Sequence, residues 1–132
     1  MIKNFESIYK EVEYLFIQIL PEYIDKINKE YNDGIILMPF VNTKLTEECI
    51  KSPSFKFELL ETECSEKDRI IENTIYNFSL EIKTKNVNNE EIKEIFRYYH
   101  AIDKMLIETN YSYLEIHIVK LIKNTIFFRT VL

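Results

Sequence analysis

A change of apolar period constrains the fold of this chain more than any other feature. Thr74, Tyr76, Phe78, Leu80 and Ile82 alternate with Asn77, Ser79, Glu81 and Lys83, so the two sets lie on opposite faces of a strand. Shortly afterwards Ile92, Ile95, Phe96, Tyr99, Ile102 and Leu106 recur at steps of three and four, flanked by Tyr98 and Met105. That spacing predicts a helix from Asn89 to about Glu108, with Glu91, Glu94, Arg97 and Lys104 outside its apolar stripe. Asn88 suits its N-cap, Glu91 stands in capping-box position, and Thr109 and Asn110 close it.

The same reasoning applies elsewhere in the chain. Ile2, Phe5, Ile8, Val12, Leu15, Phe16 and Ile19 share one helical face. Pro21 then ends or kinks that helix, or opens a second one in which Tyr23, Ile24, Ile27 and Tyr31 keep helical spacing up to Asn32-Asp33-Gly34. Ile35 to Met38 reads as a short buried strand. Phe40 to Ser54 reads as a long loop with one helical turn near Thr46 to Ile50. Phe55, Phe57 and Leu59 form a half-buried strand that pairs with the Thr74 strand as a hairpin, with Glu61 to Arg69 as its charged tip. Two final strands, Tyr113 to Ile122 and Thr125 to Leu132, meet at Lys123-Asn124. The result is one domain over residues 1–132, of α+β class, with two main helices on one face of a mainly antiparallel four- to five-stranded sheet. Tyr76, Phe78, Leu80 and Ile82 are expected to be buried with Ile95, Phe96, Tyr99 and Ile102.

Composition removes several functions. Gly34 is the only glycine, so neither a P-loop nor a dinucleotide-binding glycine loop can be written anywhere. Seventeen Lys and Arg against 22 Asp and Glu leave a net charge of −5, which argues against a general phosphate-binding surface and sequence-specific nucleic-acid binding. The first ten residues carry Lys3, Glu6 and Lys10 without the apolar block of a signal peptide. The run Tyr14 to Leu20 is far shorter than the ~20 residues needed to span a bilayer, so no membrane role is expected.

A catalytic constellation is equally hard to assemble. Cys49 and Cys64 lack CxxC spacing, and His100 and His117 stand alone, so no metal site, cofactor or disulfide is expected. Glu47, Glu48, Glu58, Glu61 and Glu63 fall on loops and exposed strand positions, where solvated charge is the default. Glu115 and His117 share a strand face and can pair, but with no nucleophile in view the pair reads as surface chemistry. No serine has the flanking glycines of a nucleophile elbow. The expectation is a non-enzyme. The final strand, Thr125 to Leu132, is apolar on both faces, which marks it as a central strand or as part of an intersubunit surface.

Two runs carry a family resemblance. Phe96-Arg97-Tyr98-Tyr99-His100-Ala101-Ile102-Asp103-Lys104-Met105-Leu106 resembles a helix of small tailed-phage neck and tail proteins, often encoded by prophages. Leu20-Pro21-Glu22-Tyr23-Ile24-Asp25-Lys26-Ile27, followed by Asp33-Gly34-Ile35-Ile36-Leu37, resembles their opening segment. The element order is similar to that of the tail terminator, or tail completion, family. The resemblance implies a structural subunit that assembles with itself into a ring, usually hexameric, and caps the tail tube toward the neck proteins. It also implies residence in the bacterial cytoplasm and, for a functional prophage, in the virion. It carries no active-site residues. Expected assembly contacts are Lys44, Glu47, Glu48, Lys67, Asp68 and Arg69 on the loop and hairpin tip, with Phe127 and Arg129 on the last strand. The loop Asn42 to Ser52 and the tip Cys64 to Arg69 have little apolar content and are expected to be mobile until neighbours order them. The alternatives are another head–tail neck or head-completion adaptor and, from a different class, a cytosolic ligand-binding or regulatory α+β domain. A small hydrolase is the weakest reading.

Overall fold

Pro21 shapes the N-terminal helical rod without breaking it. In the computed structural model, which describes residues 5–67, 70–84, 90–109 and 115–131, the rod runs from α1 (Phe5–Glu13) through a π-helical stretch (Tyr14–Ile19) into α2 (Leu20–Glu30). The Leu20 N–H reaches back to the Leu15 carbonyl, five residues away. This wider turn shifts the hydrogen-bond frame, so Pro21 falls in the first turn of α2, where its missing N–H is not needed. The rod therefore continues past Ile19, and Tyr31 leaves it in an extended conformation ahead of Gly34, whose φ is +84°.

The sheet contains β1 (Ser54–Lys67), β2 (Ile70–Lys83), β3 (Glu115–Ile122) and β4 (Thr125–Val131). Its order is β1-β2-β4-β3, and every pairing is antiparallel. Between β2 and β3 lies α3 (Glu91–Thr109). The α+β class, the helices and the antiparallel sheet match the expectation, with four strands. The Lys123-Asn124 turn forms without a glycine because Lys123 itself takes a positive φ of 54°.

The core lies between the helices and one sheet face. Phe55, Phe78, Leu80, Ile82, Ile116, Ile126 and Phe128 supply the sheet side; Ile8, Val12, Phe16, Leu20, Ile24 and Ile27 supply the rod. A chain of rings ties distant segments together. Tyr98 stacks on Phe40 at 4.6 Å, and Phe40 meets Phe55 at 5.4 Å. Phe16 contacts both Phe55 and Phe128, and Phe128 stacks on Phe78 at 4.9 Å. Such pairs each add about 0.5–1.5 kcal/mol beyond the area they bury.

Several expectations need correction. The segment 35–38 is not a strand: Leu37 is buried, but Ile36 and Met38 are exposed. The Asn28 side chain takes the place of a strand neighbour, accepting from Leu37 N–H and donating to Leu37 C=O, both at 2.8 Å. Residues 46–50 form no helix; the chain makes a turn at Leu45 and Thr46. The charged stretch from Glu61 to Lys67 is strand rather than hairpin tip, because β2 offers it a continuous partner. Asp68, Arg69, Asn88, Asn110 and Tyr113 lie outside the described residues, as do Ile2 and Leu132.

The inward face of α3 is rotated from its expected setting. Phe96 is 58% exposed and Ile92 63%, whereas Tyr98, Ala101 and Met105 are buried with Ile95 and Ile102. Arg97 and Glu94, expected outside, are buried too. Arg97 Nη1 donates to Asp33 Oδ1 at 3.1 Å, Nη2 donates to Asp33 Oδ2, and the guanidinium lies 4.0 Å from the Tyr31 ring centroid. Satisfied by a carboxylate and a ring, this arginine clamps the 31–35 turn onto α3. Tyr99 and Tyr76 pack against the core only in part.

Candidate functional site

Among the described residues, both helices cover the same face of the sheet, and no helix covers the opposite face. Alternation places Lys56, Glu58, Asn77, Phe127, Arg129 and Lys120 there, out of phase with the core residues. Arg129 Nε donates to Asn77 Oδ1 at 3.3 Å, and Asn77 Nδ2 donates to Glu63 at 2.9 Å. Lys120 Nζ lies 5.2 Å from the Phe127 ring centroid, a cation–π distance. Phe127 is half-buried, while Val119, Ile122 and Val131 are exposed. The face is therefore a mixed surface: apolar patches set among charges of both signs.

The loop candidates separate into inward and outward groups. Glu47 turns back onto its own loop, where Oε2 accepts from Thr43 Oγ1 at 2.6 Å, Thr43 N–H at 2.8 Å and Lys44 N–H at 3.2 Å. These donors, the Thr43 hydroxyl foremost, hold its carboxyl at about 2. Glu47 is thus a loop organiser, and the side chains of Lys44 and Glu48 are the exposed ones. The loop also has more to hold it than its composition conveys. Leu45 is fully buried, its N–H donates to Glu13 Oε2 at 2.9 Å, and the Asn42 side chain is buried against the start of β1. Of the tip candidates, Lys67 closes β1, while Asp68 and Arg69 lie outside the described residues. The structure places Phe127 and Arg129 together on the uncovered sheet face, and Lys44 and Glu48 on the loop ahead of β1.

A cleft of about 560 Å³ lies beside the exposed part of α3, lined by Ile92, Phe96, Leu121, Lys123 and Asn124 among others. Sequence reasoning missed it, because it assigned Phe96 to the core. The stripe Tyr98, Ala101, Met105 was the available signal: small Ala101 permits a close helix approach, and the true inward face centres on it.

Chemical groups are scattered rather than convergent. His117 Nε2 lies 3.3 Å from Glu115 Oε2, and both side chains are more than half exposed, so this is a surface pair. Cys49 and Cys64 are free thiols. Burial, then the neighbouring Glu47 carboxylate, pushes the Cys49 thiol upward and holds it protonated, the reverse of nucleophile activation. Among the described residues, no group of three or more His, Cys, Asp or Glu side chains converges as a metal ligand set, and no helix is long and apolar enough to cross a membrane. Comparison with family models, curated proteins and solved structures finds no match.

Proposed function

We propose that this chain is a non-enzymatic assembly subunit of a tailed phage or prophage, a tail terminator or tail completion protein that forms a ring at the head-proximal end of the tail tube. The single observation that carries the assembly part is the sheet face opposite the helices, with Phe127, Ile122 and Val131 set among Arg129, Lys120 and Glu63. An α+β domain that stacks all its helices on one side leaves the other for a partner, and mixed apolar and charged surface suits an interface made after folding. The phage part rests on the resemblance of the 96–106 helix and the 20–37 segment to neck and tail proteins. A net charge of −5 fits a subunit around a DNA channel, since an acidic wall does not hold the DNA. The alternative within the class is a head–tail neck or head-completion adaptor.

Purified protein mixed with tail tubes lacking their terminal ring tests the reading. Electron microscopy is expected to show a ring at one end of each tube, and tube length is expected to stop increasing. Tubes that remain bare at saturating protein, with no binding to head-side neck proteins either, overturn it.

A further inference from the structure

Asn42 marks where the outer edge of β1 begins to be available. Its carboxamide donates to Phe55 C=O at 2.9 Å and accepts from Phe55 N–H at 3.0 Å, as a neighbouring strand would. Phe55 therefore directs its backbone groups away from β2, and by the strand period so do Phe57 and Leu59. The Ile82 N–H bond to Asn124 C=O sets the β2–β4 frame, which places Leu121 and Ile118 on the outer side of β3 by the same count. β1 and β3 are the two edges of the sheet, and with four antiparallel strands they run in opposite directions. A sheet of this kind can continue from one copy into the next with antiparallel pairing at every junction.

We infer that β1 of one copy pairs antiparallel with β3 of the next, extending the sheet between subunits. The partner is a second copy of this chain, chosen by charge and register. With Phe57 opposite Leu121, outward backbone groups meet outward groups and core face meets core face. Glu58 then faces Lys120. The register irregularities on the two edges, at Leu60 in β1 and Val119 in β3, also come together, and both residues are exposed and apolar. A bulged edge resists a flat strand but accommodates one that departs from regularity at the same place. Pairing β1 with β1 about Leu59 would instead set Glu58 against Glu61, and like charges opposite each other on strands repel. Pairing β1 with β3 makes the contact head-to-tail, as a ring requires, whereas a two-fold dimer would pair like edges. Ring closure adds to each such contact, because every copy is then held through both of its edges.

This inference rests on the self-assembly half of the proposed function and is independent of the phage half. Sedimentation velocity across a concentration series tests it on the full chain. Glu58→Lys and Lys120→Glu are each expected to weaken association several-fold, and the double variant to recover it. Mixing the two single variants is expected to recover it as well, since each supplies the partner the other lacks. A second measurement uses Glu58→Cys with Lys120→Cys in a Cys49→Ser, Cys64→Ser background. Oxidation is expected to give covalent species larger than dimers. The inference is overturned by a wild-type chain that stays monomeric at the highest concentration reached, by a double variant no tighter than the singles, or by cross-linking that yields dimers only or nothing. If the charge swap recovers association but tail tubes stay bare, the strand pairing stands and the phage assignment fails. If rings cap tubes but the swap does nothing, the reverse holds.

Discussion

The Asn42 carboxamide makes both of its hydrogen bonds to the backbone of Phe55, filling the donor and the acceptor at the second residue of β1. Both residues are nearly inaccessible, at 5% and 1% exposure, so water cannot replace either bond if Asn42 is lost. Asn42→Ala is expected to lower unfolding free energy by about 1–3 kcal/mol, read from urea denaturation. Asn42→Asp keeps the acceptor but loses the donor to Phe55 C=O, and is expected to cost at least as much at neutral pH. A null effect for both would mean that the bracket does not hold the edge.

Leu45 tests whether the loop before β1 is anchored. Fully buried at a turn, it joins the core between the rod and β1. Leu45→Ala is expected to cost about 2–5 kcal/mol, the range for a core leucine rather than a loop residue. In hydrogen exchange its amide, bonded to Glu13, is expected to be protected beyond its exposed neighbours. Exchange as fast as an unfolded peptide would restore the picture of a loop waiting for partners.

Acid stability depends on two carboxylates. The Arg97 guanidinium lowers Asp33 from 3.8 to about 2, and the Thr43 hydroxyl leads the donors that lower Glu47 from 4.5 to about 2. Both folded values lie below the unfolded ones, so the stabilisation is complete above about 4.5 and is lost as pH falls toward about 2. The thermal midpoint is expected to drop through that window. Glu47→Gln and Arg97→Met are each expected to flatten part of the slope, and added salt to reduce it, because both carboxylates are accessible. An unchanged slope in both variants would place the acid sensitivity elsewhere.

The rotation of α3 predicts opposite outcomes for two phenylalanines. Phe96→Ser alters an exposed side chain and is expected to change stability by no more than about 0.5 kcal/mol. Phe128→Ala removes the ring that joins Phe16 to Phe78 in the core and is expected to cost about 3–5 kcal/mol. Equal costs would show that the helix presents its other face to the core.

The sequence by itself determined the elements whose period is strong and locally encoded. Alternation from Thr74 to Ile82 and the three-and-four spacing from Ile92 to Leu106 are set by backbone geometry, so strand and helix were legible without partners. The α+β class followed from their order. Tertiary structure decided what depends on neighbours. Charged residues from Glu61 to Lys67 became strand because β2 lies alongside. Ile35 to Met38 did not, because the Asn28 side chain and not a strand met Leu37. Phe96 went outward and Arg97 inward because Asp33 and Tyr31 satisfy the guanidinium, a pairing across 64 positions that no local pattern encodes. For the candidate surface, Phe127 and Arg129 were readable from a strand apolar on both sides. That Glu58 and Lys120 stand on edge strands followed only from the strand order, because an edge is a property of the assembled sheet and not of any one strand.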